Sequence, residues 1–156
     1  MKYTIRLIQK EDLNDLKKVL QSIELFPAEM LEEMSSDYFE NSNSEEIWFT
    51  ALINDIPIGI GFCAPEKFTD GTFNLYAIGI HASHQGKGIG QEMMAFLEEY
   101  LSTNGARILI VDTSGTDAFT LTRTFYEKLG YKKEAVLKDF WAEGDDKVTY
   151  TKRLIP

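Results

Sequence analysis

The stretch Ile78–Gly90, reading IGIHASHQGKGIG, constrains this chain more than any other. An apolar strand runs into a short loop with glycine at 86, 88 and 90, and a helix follows at once. Glycine reaches positive φ at little steric cost and leaves the backbone uncovered. The first N–H groups of the helix have no intrahelical acceptor, and they sit at the positive end of its dipole. Such a strand–loop–helix junction is a cradle for a phosphate or pyrophosphate.

The partners are bounded by composition. A net charge of −9 argues against nucleic acid, whose binding calls for a basic face. No apolar run approaches the roughly 20 residues of a membrane helix, and MKYTIRLIQKEDL lacks the apolar core of a signal peptide. Cys63 is the only cysteine, so no intramolecular disulfide forms and a reducing cytoplasm is expected. A length of 156 residues fits one domain, expected to span 1–156.

Periodicity supplies the framework. Tyr3–Ile8 alternates as a strand, and Leu13, Leu16, Val19, Leu20 and Ile23 mark one face of a helix. Pro27 suits the first turn of a second helix that runs to about residue 40. Strands are predicted over 46–54 and 58–64 with a turn at Asn54-Asp55, then over 72–81. The last of these is apolar enough to suggest burial on both faces. After the glycine loop comes a helix ending near Asn104-Gly105, a strand over 107–112, and a helix from about Asp117 to Gly130. Tyr131–Glu134 begins another strand, and 136–142 with 147–154 forms a final antiparallel pair. The order β-α-α-β-β-β-α-β-α-β-β implies an α/β (mixed α+β) fold with helices on both faces of a mixed sheet.

Three readings of the loop compete. A Walker A loop needs Ser or Thr after its Lys, but Lys87 is followed by Gly88. A dinucleotide fingerprint would have Gly86-x-Gly88 followed by a third glycine, where Gln91 stands, although Asp112 lies where a ribose-binding acid would. Three strands in antiparallel style (46–54, 58–64 and 72–81) also immediately precede the loop, whereas that fingerprint normally comes early in a domain of repeated βαβ units. The third reading is Gln/Arg-x-x-Gly-x-Gly/Ala, matched by Gln85-Gly86-Lys87-Gly88-Ile89-Gly90.

With this loop, the element order and the segment Phe125-Tyr126-Glu127-Lys128-Leu129-Gly130-Tyr131, nearly the whole chain resembles the GCN5-related N-acetyltransferase (GNAT) family. The resemblance implies a mostly antiparallel mixed sheet splayed at its central strands. It implies acetyl-CoA as co-substrate, no metal, and acetyl transfer to a primary amine of a small molecule or protein by direct attack in a ternary complex. Gln85, Gly86, Lys87, Gly88, Ile89 and Gly90 would hold the pyrophosphate. The main chain of Ile78 and Ile80, with Thr122, would hold pantetheine, and Tyr126 would protonate or hydrogen-bond the leaving thiolate. Relatives often carry an Asn on the last helix; Thr120, Thr122 and Arg123 stand there instead.

Many relatives also carry a Glu on the central strand as base, where this chain has Asn74. His81, Glu24, Glu29 and Asp139 are candidates for that role, and none is assigned. Phe140-Trp141 is a candidate lining of the acceptor site, and a homodimer is compatible with the sequence. A CoA-binding sensor of the same fold is the alternative that the missing carboxylate keeps open; a thiol-release assay with a panel of amines separates it from an enzyme.

Overall fold

The structure is a computed structural model that describes residues 2–154. Strands are β1 (Tyr3–Leu7), β2 (Ile47–Ile53), β3 (Ile56–Pro65), β4 (Thr72–Ile80), β5 (Ile108–Ser114), β6 (Lys132–Ala142) and β7 (Asp145–Arg153). Helices are α1 (Leu13–Ser22), α2 (Leu31–Glu40), α3 (Ile89–Thr103) and α4 (Thr120–Lys128). The seven strands form one sheet in the order β1-β2-β3-β4-β5-β7-β6. Only β4 and β5 run parallel. Among the described residues no helix is long and apolar enough to cross a membrane.

The helices lie on both faces, as the sequence predicts. Leu16, Val19 and Leu20 of α1 and Leu31 of α2 pack with Trp48 and Ile60 on one face. Ile89, Met93, Met94, Leu97 and Leu101 of α3 pack with Phe49, Leu75, Leu109 and Val111 on the other. Covered on both sides, every residue of β2 is buried. Asn54 and Asp55 turn the β2–β3 hairpin at φ 52° and 64°, the positive values that a tight two-residue hairpin turn demands.

Two predicted features are revised. The late strand is one element, Lys132–Ala142, because its register against β7 shifts twice instead of breaking. The central strand is not buried along its length. Its pairing with β5 spans only Thr72–Leu75 against Ile108–Val111. Beyond that point β5 stays with β7 while β4 keeps only β3, so Tyr76 is exposed and Ile78–Ile80 are half-buried.

One residue near this point sets which way β4 faces. Phe62 pairs with Ala77 and Cys63 with Leu75, leaving Tyr76 as an extra residue, a β-bulge. An unbroken strand would put positions 74, 76, 78 and 80 on one face. With the bulge, Leu75, Ile78 and Ile80 all pack on the α3 side. Asn74 and Tyr76 instead share a hydrogen-bond partner, Glu66, and Tyr76 packs against Phe62, which lies on the α1–α2 side.

Phe49 and Gly61 are paired across β2 and β3, and a Cβ on Gly61 would lie 2.2 Å from the Phe49 ring. Gly61→Ala is therefore expected to lower stability by about 1–3 kcal/mol through overpacking. Phe49→Leu in the same chain should recover part of that loss. Urea denaturation of the single and double variants measures both.

Candidate active site

The divergence of β4 and β5 opens a cleft of about 420 Å³. Its walls include Tyr76, Ile78, Gly79 and Ile80 from β4, Asp112 and Thr113 from β5, Glu24 and Leu25 after α1, and Thr122 and Tyr126 from α4. Gln85 closes one end, where a shallower groove continues past Gly90, Leu121 and Phe125. Among the described residues no lysine or arginine lines the cleft.

The glycine loop adjoins that groove. Gly86 and Gly88 sit at φ 76° and 83°, with no atom within 4 Å of where a Cβ would lie. Among the described residues the backbone N–H groups of Gln85 through Gln91 meet no protein acceptor; the first helical bond runs from Glu92 to the Gly88 carbonyl. The loop is braced from behind. Gln85 Nε2 donates to the Ile80 carbonyl at 3.0 Å, and the Ala82 N–H donates to Ser22 Oγ at the end of α1. The glycines thus differ in purpose. Gly90 lies beneath the Phe125 ring, 3.5 Å from its potential Cβ, so it serves helix packing. Ile89 has a fully buried side chain and offers the loop only its backbone, while Lys87 is exposed.

On α4, Tyr126 is 4% exposed and lines both the cleft and the groove. Its hydroxyl has no hydrogen-bond partner among the described residues, and burial pushes its pKa well above the ordinary phenol value. The phenol is therefore a neutral donor at neutral pH, on a side chain that lines the cleft. Thr122 is the only one of the three nearby polar residues to line the cleft. Thr120 bonds the Asp117 carbonyl, and Arg123 donates to the Ser114 and Thr116 carbonyls to fix the β5–α4 connection.

A second set of polar groups lies at the other end. Asn74 is buried, and its Nδ2 donates to Glu66 Oε1 at 2.8 Å and Asp112 Oδ2 at 3.1 Å. The Tyr76 hydroxyl donates to the same Glu66 oxygen at 3.0 Å, and Thr149 Oγ1 donates to Asp112 Oδ1 at 2.6 Å. Burial and the Glu66 carboxylate push the Tyr76 phenol up to about 12. This row runs from the residue after β3 to β7, and the sequence reading missed it as a unit. The available signal was Asn74 itself, a buried strand amide that must find partners.

The remaining candidates divide. Glu24 lines the cleft, whereas Glu29 lies in an adjoining depression. His81 Nδ1 accepts from the Ser83 N–H, so its ring is committed to the turn before the loop. Asp139 caps its own hairpin through the Gly144 N–H. Trp141 donates to the carbonyl of Thr113, and Phe140 lies under Lys147; neither lines the cleft. Cys63 is fully buried, and burial pushes its thiol far up, which leaves no thiolate nucleophile.

The sequence matches the model of the acetyltransferase (GNAT) family over residues 11–131. The chain belongs to the GNAT family. Among solved structures, a GNAT-family protein from Desulfovibrio desulfuricans superposes with a TM-score of 0.90 at 28% identity, covering 99% of this chain and 100% of that one. The ribosomal-protein-S18-alanine N-acetyltransferase of Escherichia coli gives 0.80 at 15%, with 99% and 96% covered. An aminoglycoside 6′-N-acetyltransferase complexed with coenzyme A gives 0.75 at 22%, with 98% of each chain covered. No curated protein sequence matches the chain. The GNAT assignment agrees with the resemblance drawn from the glycine loop and the Phe125–Tyr131 segment.

The GNAT loop makes opposite demands at two neighbouring glycines. Gly88→Ala should destabilise the protein by about 1 kcal/mol, because an L-residue is strained at φ 83°. Gly90→Ala meets only ordinary contacts at a helical position and should be neutral or stabilising by up to about 1 kcal/mol. Thermal melting of the two variants reads the difference in sign.

Proposed function

We propose that this GNAT protein transfers the acetyl group of acetyl-CoA to a primary amine. The observation that carries the reading is the cleft between β4 and β5. Through the groove past Gln85 it leads to a loop of unpaired backbone donors, and it is lined by the largely buried Tyr126, whose hydroxyl has no protein partner among the described residues. The residues fit the co-substrate. The N–H groups of Gln85 to Gln91 suit a pyrophosphate. The β4 edge released beyond Leu75 offers main-chain partners for the pantetheine amides, as an added strand would find. Ile78 and Ile80 contribute backbone there, and Thr122 faces them. The coenzyme A bound to the aminoglycoside acetyltransferase of the same fold supports this choice of ligand.

The chemistry balances on groups at hand. An alkylammonium, with a pKa near 10, loses one proton to solvent before it attacks. The free amine attacks the thioester carbonyl carbon; a C–N bond forms and the C–S bond breaks. Tyr126 donates its hydroxyl proton to the departing sulfur, and the second proton lost by the amine nitrogen restores the phenol. With its pKa raised, Tyr126 gives up the proton only as negative charge develops on sulfur.

The acceptor is a small-molecule or protein amine. Both kinds are named among the chain's structural neighbours, an aminoglycoside and a ribosomal-protein alanine. The acidic balance of −9 favours a cationic acceptor. We place the activity in a single domain spanning 1–156 and in the cytoplasm.

Calorimetry is expected to show binding of acetyl-CoA and none of NAD; the reverse result rejects the proposal. Tyr126→Phe removes a hydroxyl with no partner in the protein, so the fold should be unaffected. Turnover should fall roughly 100-fold in a thiol-release assay with an accepted amine. The acetyl-CoA dissociation constant should stay within about twofold.

A further inference from the structure

The geometry points to Asp112 as the group that receives the ammonium of the acceptor. This rests on the acetyltransferase reading and adds the residue that selects the second substrate. Asp112 lies past the end of the β4–β5 pairing, half-buried in the wall of the cleft that also holds Tyr126. Each of its oxygens already takes one hydrogen bond, from Asn74 Nδ2 and from Thr149 Oγ1. Those bonds fix the carboxylate's orientation and leave lone pairs for a further donor. Asn74 is itself clamped between Asp112 and Glu66, so neither neighbour can rotate freely.

The charge of the site narrows the ligand. Among the described residues Asp112 and Glu24 are the ionisable acids lining the cleft, Glu66 stands behind Asn74 and Tyr76, and no cationic side chain lines the cleft to offset them. An ammonium compensates a half-buried carboxylate of this kind; a neutral hydroxyl does not. Tyr76 and Phe119, both partly exposed, provide aromatic surface for the carbon chain of such a cation. Tyr126, almost wholly buried, lines the same cleft with its hydroxyl unpaired among the described residues, so an acceptor held at Asp112 shares the cavity with the group proposed to protonate the leaving sulfur. Asn74 thus has a task distinct from that of a base: it transmits order from Glu66 to Asp112.

The test uses the full chain saturated with coenzyme A, with n-butylammonium as probe and n-butanol as its neutral counterpart. NMR should show a saturable shift of the Asn74 side-chain amide with n-butylammonium and none with n-butanol. Asp112→Asn should weaken that binding at least tenfold while the coenzyme A affinity, measured by calorimetry, holds. As a check that needs no variant, the Asp112 carboxyl-carbon signal of the wild-type chain should follow the same saturation curve. Equal affinity in Asp112→Asn, or an Asp112 signal that does not move, overturns this inference and leaves the acetyltransferase reading intact. Failure of coenzyme A to bind the wild-type chain removes both.

Discussion

The short parallel pairing of β4 with β5 is the constraint on which the rest of the site depends. Four residue pairs join them, and then β5 follows β7 while β4 remains with β3. An unpaired backbone edge inside a protein is costly unless something satisfies it. The structure supports the divergence from both faces, with α1 and its following turn on one side and α3 and α4 on the other. The loop after β4 is tied back by Ser22 and Gln85, so the free edge is stiff. A free strand edge held open in this way is preorganised for an extended ligand that brings its own amides.

The same arrangement is how an acidic protein would present the proposed phosphate site. The chain carries a net charge of −9, and the loop brings only one cationic side chain, Lys87, which is exposed. Its donors are backbone N–H groups and a helix terminus, which are neutral partial charges fixed in direction. Such donors need no basic patch and lose little to rearrangement. The opposite end of the cleft can then remain acidic. The cleft and the groove that continues it thus hold a polar gradient, with backbone donors at the loop and carboxylates at Asp112 and Glu24.

Much of this was legible in the residues. Helical spacing in α1 and α3, the Asn54-Asp55 turn and the glycine loop each carry a local rule, and local rules survive folding. Gly86 and Gly88 adopt the positive φ that glycine suggests. What the residues concealed was relational. The apolar run of β4 reads as a strand covered on both faces, because nothing in Leu75–Ile80 records that β5 turns away. Asp112 invites comparison with a ribose-binding acid because of its distance from the loop. Its actual partner, Asn74, lies on the neighbouring strand, 38 residues earlier in the chain. Asp139 read as a candidate base, but its hairpin folds back to use its carboxylate.

The bulge at Tyr76 ties these observations together. Because it inserts one residue, the side chains before it and after it serve opposite faces of the sheet. Asn74 and Tyr76 join the polar row with Glu66 and Asp112, while Ile78 and Ile80 anchor the strand in the α3 core and leave their backbone at the cleft. Gly79, between them, comes so close to Ile23 and Leu25 that a Cβ would lie 2.5 Å from the Ile23 methyl. A regular strand would turn Ile78 and Ile80 toward the same face as Asn74, which would strip the α3 core of two anchors and crowd the polar row. One extra residue in one strand therefore lets a single element order an acidic cluster by its side chains and leave its main chain free at the cleft for the ligand edge proposed above.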